Sequence, residues 1–362
     1  MFVINVIFFN ESKFKDIWGM ITKLKLEKFT TFDSLEMDCS KGINIIVGAN
    51  GTGKTHILKT IYSACEITKS KKSFAEKLNK VFLPSKELIG RLVKRSSVSS
   101  SAFAEVHRVI SLESLLSSEV KLRLSFSNHT KQASKAKISG SPKQWINHEI
   151  ESVYIPVKEM LSNAPGFRSL YASRQIAFEE IYSDIIDRAL LPNLKGPVDS
   201  ERKKILNILQ KAMDGKVTVD NEEFFLRNKQ GKLEFTLLAE GIRKLALIWV
   251  LIQNGTLLNG SVLFWDEPEA NLNPRLMRTV VEILLELQRM GVQIFLTTHD
   301  YVLLKEFDLQ MKPKDKVMFH SLYRDNESDS VVLNSTTDYL QITPNVIDDT
   351  FADLIDRDLE DI

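Results

Sequence analysis

Eight consecutive residues, Gly48-Ala49-Asn50-Gly51-Thr52-Gly53-Lys54-Thr55, fit the spacing G-x-x-x-x-G-K-[ST]. That pattern gathers backbone N–H donors around an anion, and the helix that follows adds the positive end of its dipole. Lys54 would reach β- and γ-phosphates, and the Thr55 hydroxyl would sit on Mg²⁺. Gly48, Asn50, Gly51, Thr52, Gly53, Lys54, Thr55 and His56 are therefore the candidate ATP-binding residues. A second set lies far along the chain. Val262-Leu-Phe-Trp-Asp266-Glu267-Pro268 is an apolar run ending in two carboxylates. Asp266 is placed to reach the Mg²⁺ held by Thr55, and Glu267 to accept a proton from an attacking water. Ile294-Phe-Leu-Thr-Thr-His299 ends a further run in histidine, 33 residues after Asp266, where it would contact the γ-phosphate.

These side chains need strand ends and a helix start to hold them. Ile43 to Val47 is a β-branched run and reads as a buried strand; His56 to Thr68 carries Ile57, Leu58, Ile61 and Tyr62 at helical spacing. Lys23–Phe29 and Leu35–Cys39 alternate polar and apolar residues, which predicts a strand pair leading into the phosphate loop. From Ala239 the pattern alternates: a helix through Ile252, a strand at 261–265, a helix at 274–290 and a strand at 293–297. That alternation implies a mainly parallel sheet built from both ends of the chain. Between them, 69–95 reads as largely helical and 102–128 as β-like. The run 131–143 reads as a loop, 150–156 as a buried strand, 158–213 as helical, and 216–237 as a hairpin around Asn228–Gly231.

The 362 residues are 43% hydrophobic and 26% charged with a net charge of +1, as expected of a soluble protein with a full-sized core. The charge is unevenly spread. Nine Lys/Arg fall between Lys69 and Arg95 against Glu76 and Glu87, and seven acidic residues fall between Asp348 and Asp361 against Arg357. Cys39 and Cys65 have no metal spacing and read as buried thiols of a reducing compartment. Met1–Phe9 is apolar but lacks the basic start and cleavage site of a secretory leader. With no run long enough to span a bilayer, a cytoplasmic location is expected.

In motif order the chain resembles the ABC-type ATPases, in the branch that holds SMC, RecF and OLD proteins. The phosphate loop at 48–55, Asp266-Glu267-Pro268 and Thr297-Thr298-His299 stand in that order. Leu238-Ala239-Glu240-Gly241-Ile242-Arg243-Lys244 stands where this branch carries its signature, and Glu269-Ala-Asn271-Leu-Asn273-Pro274 where its D-loop belongs. The leader Leu24, Leu26, Phe29, Phe32 and Leu35 resembles the opening hairpin of RecF-like heads. The resemblance implies an α/β fold: a P-loop ABC-type head with a mainly parallel sheet, N-terminal antiparallel strands and a helical insertion. It divides the chain into a head (20–68 and 214–345), an insertion (69–213) and an acidic segment (346–362).

It also implies a composite site. One subunit supplies Lys54, Asp266 and Glu267, and its partner supplies Ala239, Glu240, Gly241 and Arg243, so that ATP joins two heads and hydrolysis releases them. Asn271 and Asn273 belong to the same interface, and ATP and Mg²⁺ are the expected cofactors. The sequence departs from the branch at Ala239, where a serine is usual, and it lacks long coiled-coil arms. The stretch after Ile155-Pro156, with Lys158 and Glu159, is the best candidate for the Q-loop. Asp356-Arg357-Asp358 lacks the strands of a nuclease, so an effector is expected on a separate chain. The readings that follow are an ATPase sensor or scaffold resembling stand-alone OLD-like ATPases of anti-phage defence, or a RecF-like DNA clamp using the basic 69–95 and 131–143. The acidic 346–362 segment, amphipathic through Val346, Phe351, Leu354, Ile355 and Leu359, is expected to dock a protein partner or pack on its own domain.

Overall fold

The computed structural model describes residues 19–112, 116–174, 176–325 and 327–360. The Met1–Phe9 segment and Asp361 lie outside the described residues. β1 (Gly19–Phe29) and β2 (Phe32–Asp38) form the opening hairpin, β3 (Ile43–Gly48) runs into α1 (Lys54–Ser70), and α2 (Phe74–Phe82) follows. β4 (Ser101–Leu112), β5 (Leu116–Ser127) and β6 (Lys137–Gly140) lead through α3 (Pro142–Asn147) to β7 (Ser152–Ile155). Helices α4 (Phe167–Ser173), α5 (Glu180–Ala189) and α6 (Ser200–Met213) precede β8 (Lys216–Asp220), β9 (Glu223–Asn228) and β10 (Gly231–Glu234). The chain then alternates α7 (Glu240–Gln253), β11 (Val262–Asp266), α8 (Met277–Arg289), β12 (Gln293–Thr298), α9 (Tyr301–Gln310) and β13 (Val317–Arg324). β14 (Val331–Thr336) and α10 (Val346–Glu360) complete it.

The central sheet has the order β14-β13-β3-β12-β11-β7 and is parallel except at β14. Its strands are apolar on both faces, as a sheet covered on both sides requires. Alternation assigns each side chain to a layer. Ile43, Ile45, Val47, Leu263, Trp265, Ile294 and Leu296 join the core under α6–α9. Ile46, Val262, Phe264 and Phe295 join the core that contains α1 and the other sheet. That second sheet is antiparallel, in the order β2-β1-β4-β5-β6.

Three stretches differ from the sequence expectation. The 131–143 run is not a bare loop: β6 pairs with β5, and α3 buries Trp145, whose indole N–H donates to the Ala64 carbonyl of α1 at 2.7 Å. One apolar residue in a basic, Ser-bearing run is too weak a periodic signal to see. The 216–237 stretch makes three strands, because a second turn at Asp220–Glu223 adds β8 outside the expected hairpin. The 69–213 segment is also not set apart from the head. β4–β6 complete the sheet begun by β1, and β7 closes the parallel sheet at its far edge.

The basic 69–95 stretch folds as the end of α1, then α2 and short 3₁₀ turns. Five of its nine cations are committed inside the chain: Lys69 to Glu151, Lys72 to Glu180, Lys77 to Glu180 and Asp184, Lys80 to Glu87, and Lys94 to Asp33. Lys77 is fully buried, so its charge requires these partners. More than half of the basic stretch is thus the positive half of an internal ion-pair network. Cys65 is buried and Cys39 partly covered; burial pushes the Cys65 thiol up to about 12, which makes it inert. Among the described residues no helix is long and apolar enough to cross a membrane.

Candidate nucleotide site

Parallel pairing brings the two distant motifs together. Thr297 of β12 lies opposite Asp266 of β11, and Thr298 opposite Val47 of β3, so all three strands end at one rim. Ligands of open α/β sheets bind at such a carboxyl rim. The phosphate loop leaves β3 here and turns directly into α1. Gly53 has φ +95° and leaves the α1 N-terminus without a side-chain cap, so the first-turn N–H groups point into the loop. A Cβ at Gly53 would come within 2.6 Å of Phe32 Cζ and Thr31 Cγ2, and one at Gly48 within 2.3 Å of the Leu322 carbonyl oxygen. The loop is thus clamped between the β1–β2 turn and β13. Thr52 further ties it through an Oγ1 hydrogen bond to the Ala49 carbonyl at 2.9 Å, while Asn50 and Gly51 stay exposed.

Lys54 is buried with its ammonium curled over the loop, donating to the carbonyls of Gly48 (2.7 Å) and Ala49 (3.2 Å). Burial lowers its pKa, and Glu267, Asp266 and Glu269 oppose that shift. Thr55 Oγ1 donates to Asp266 Oδ1 at 3.1 Å. Asp266 is held from two further sides: Thr297 Oγ1 donates to Oδ1 at 2.6 Å and the Tyr154 hydroxyl to Oδ2 at 3.1 Å. Among the described residues no group of three or more His, Cys, Asp or Glu could hold a metal. Mg²⁺ bound with substrate phosphates does not need one, since it keeps waters and takes one or two protein ligands. Thr55 beside Asp266, under an uncapped helix end and a lysine, fits that ion.

Glu267 sits in the left-handed region at φ +47°, which swings its carboxylate away from the strand axis; its N–H donates to Thr297 Oγ1 at 3.1 Å. Non-glycine residues hold that conformation only where neighbours over-determine it. His299 Nδ1 lies 3.3 Å from Glu267 Oε1 and 3.6 Å from Glu269 Oε1. Glu269 is buried and accepts from Thr298 Oγ1 (2.8 Å) and from the His299 N–H (3.0 Å), with burial raising its pKa. Glu269 therefore fixes the backbone that carries His299. Neither Tyr154 nor Glu269 was singled out from the sequence. Tyr154 ends an apolar strand with nothing local to mark it, whereas Glu269 stood inside the D-loop string and could have been found there. His56 is placed at the first turn of α1, but its ring packs on Phe82 at 5.5 Å between centroids. Burial lowers its pKa to about 4, so the imidazole is neutral and only its backbone faces the loop.

The signature residues form a second patch, braced against the D-loop of the same chain. Glu240 accepts from Asn271 Nδ2 (3.0 Å) and from the Glu159 N–H (3.3 Å). Arg243 Nε pairs with Glu159 Oε2 at 2.9 Å, and Lys244 Nζ donates to the Ala270 carbonyl at 2.6 Å. A Cβ at Gly241 would lie 2.8 Å from Leu272 Cδ1. Ala239 stands as the N-cap of α7 with no side-chain hydrogen bond, and Asn273 caps the turn that precedes α8 by accepting from the Arg275 N–H. Glu159, the Q-loop candidate, is thus bonded to Arg243 and Glu240 of the signature.

The fold is that of a P-loop head like the SMC heads. An SMC head bound to the C-terminal winged-helix domain of ScpA matches with a TM-score of 0.55 at 15% identity, covering 88% of this chain and 97% of that one. An SMC head with an extended coiled coil from Pyrococcus furiosus, bound to the C-terminal domain of ScpA, matches at 0.54 and 13%, covering 88% and 96%. At such identities the likeness is one of fold alone. Residues 43–305 match the family described as "AAA domain, putative AbiEii toxin, Type IV TA system", and the chain belongs to that family. Sequence relatives are local. The DNA replication and repair protein RecF of Cytophaga hutchinsonii is 46% identical over 50 residues, 14% of this chain and 13% of that protein. RecF of Clostridium acetobutylicum is 39% identical over 57 residues, 16% and 15% of the two chains.

Proposed function

We propose that this protein binds and hydrolyses ATP as a nucleotide-driven switch between separate and paired heads, serving as sensor or scaffold of an anti-phage defence complex whose effector is another chain. The observation that carries the ATPase reading is the bond from Thr55 to Asp266, with Glu267 and His299 beside it at the same rim. In this reading the α1 N-terminus and Lys54 hold the phosphates, and Asp266 stays oriented by Tyr154 and Thr297. Glu267 takes the proton of the attacking water while His299 steadies its carboxylate. Bound Mg²⁺, held by Thr55 and Asp266, would neutralise charge developing on the phosphate oxygens. The defence reading rests on the family's description as an AbiEii-type toxin component of a type IV toxin–antitoxin system.

Turnover of Glu267→Gln tests the chemistry. ATP binding should persist while hydrolysis falls by about 10²–10⁴-fold, the usual contribution of a general base; wild-type turnover would refute the assignment. A second reading, DNA binding, is favoured by one feature. Arg91, Arg95, His129 and Lys131 line a groove of about 460 Å³, together with Lys94, which is already paired with Asp33. Stimulation of hydrolysis by duplex DNA, lost steeply with salt, would select that reading.

A further inference from the structure

Two surfaces at opposite edges of the central sheet are complementary. At the β13–β14 edge, Ser321 Oγ and Asn334 Nδ2 hold the carbonyls of Pro344 and Thr343 at 2.5 and 2.8 Å, and α10 starts from there. Its first turn is anchored: Ile347 is buried, Tyr339 donates to the Asp348 carboxylate, and Phe351 stacks on Tyr301 at 4.2 Å between centroids. Beyond that turn the apolar face is open. Leu354, Ile355 and Leu359 are 52%, 56% and 63% exposed, at the spacing of a helix that lays its face into a groove. Six carboxylates against Arg357 make the remaining faces strongly anionic.

At the β7 edge, where Arg188 of α5 reaches the Ser152 carbonyl, a groove of about 670 Å³ runs between residues 83–87 and the segment before α5. Leu83, Ile176 and Phe178 line it, and Lys80, Lys86 and Arg174 rim it. Glu87 and Glu180 also line it, each already paired with lysine: Glu87 with Lys80, Glu180 with Lys72 and Lys77. Among the described residues, Lys86 and Arg174 have no carboxylate partner, and Phe178 is 37% exposed. Apolar floor and cationic rim match an apolar helix face with anionic flanks. The helix cannot reach the groove of its own chain, because five strand spacings of ~4.8 Å put the two edges about 24 Å apart.

We infer that α10 of one copy seats in the 83–87/171–178 groove of a second copy. The two surfaces differ, so the contact is heterologous and propagates head to tail into rings or chains, unlike a two-fold ATP-bridged pair. It is independent of the ATPase reading. Sedimentation velocity of the nucleotide-free protein in a Lys54→Ala background therefore tests it without engaging the nucleotide site.

The parent should grow with concentration beyond two chains. Leu354→Ser/Ile355→Ser and, separately, Phe178→Ser/Arg174→Glu should each weaken assembly at least tenfold. An equal mixture of the two variants should stop at two chains, since only one intact helix meets one intact groove. Should the apolar variants misfold, charge reversal gives a second route: Asp353→Lys/Asp356→Lys should disrupt assembly, and adding Lys86→Glu/Arg174→Glu should restore it. A parent that stays a single chain at every concentration, or a helix variant that assembles like it, would overturn the inference and leave α10 to a foreign protein.

Discussion

The phosphate cradle and the signature patch are built on opposite plans. In the cradle, the bonds position groups that would face a substrate, with Lys54 alone turned onto the loop carbonyls. Gly48 and Gly53 allow close backbone approach, Lys54 leans over the loop, and Asp266 is fixed from three directions by Thr55, Thr297 and Tyr154. In the signature patch, the groups that a partner's nucleotide would need are spent inside the chain: Glu240 on Asn271 and Glu159, Arg243 on Glu159, Lys244 on the D-loop backbone. One half of the site is pre-organised within a single chain. Under the proposed composite site, the other half would have to exchange its bonds before serving a second chain, so closing would meet a threshold that opening does not. This asymmetry suits a slow switch better than a fast catalyst.

The comparison can be broken at its strongest point first. Lys54→Ala removes the cation that reaches over the loop and should lower ATP affinity at least 100-fold by calorimetry, with folding intact. Retained affinity would mean that the loop N–H groups alone hold the phosphates. Gly241→Asp should leave single-chain ATP binding within about twofold but cut turnover by about 10-fold or more, because its Cβ meets Leu272 and its charge repels a facing phosphate. Equal losses of binding and turnover would show that the signature acts on its own chain's nucleotide.

Tyr154→Phe sharpens the comparison at lower cost. Losing one hydroxyl donor to Asp266 is worth ~1 kcal/mol, roughly fivefold, and it should appear in the Mg²⁺ concentration dependence rather than in ATP affinity. An unchanged Mg²⁺ profile would remove Tyr154 from the account. A separate effect, on stability rather than turnover, concerns the scaffold under the loop. His320 of β13 is fully buried between Ser335 and Asn44, and burial lowers its pKa to about 4. The unfolded state therefore binds the extra proton between about pH 6.5 and 4, and stability from this group is lost as pH falls through that window. By pH 5 the loss should be about 2 kcal/mol for this residue, and urea midpoints of His320→Asn should fall less steeply than wild type over the same range.

How much of this was legible in the sequence follows from how local each signal is. The phosphate loop, β11 and β12 carry their candidate residues at the ends of apolar runs, and those runs read as buried strands; motif order placed Thr55 and Asp266 at a common Mg²⁺. Tyr154 could not be seen, since its role depends on β7 pairing beside β11 in register, and register is a tertiary fact. The ion pairing of the basic 69–95 stretch was hidden for the same reason. Glu151, Glu180 and Asp184, which neutralise it, arrive from 82 to 108 residues away. The brace between Glu159, Glu240, Arg243 and Asn271 joins three segments that no spacing rule connects.

The central claim is that the braced signature patch completes the nucleotide site of a second chain. Light scattering of Glu267→Gln, with Leu354→Ser/Ile355→Ser added to remove the α10 contact, measures this directly with and without ATP and Mg²⁺. The account predicts a mass that doubles with ATP and stays single when Gly241→Asp is added to the same protein. A mass that is indifferent to ATP, or a doubling that survives Gly241→Asp, would contradict it.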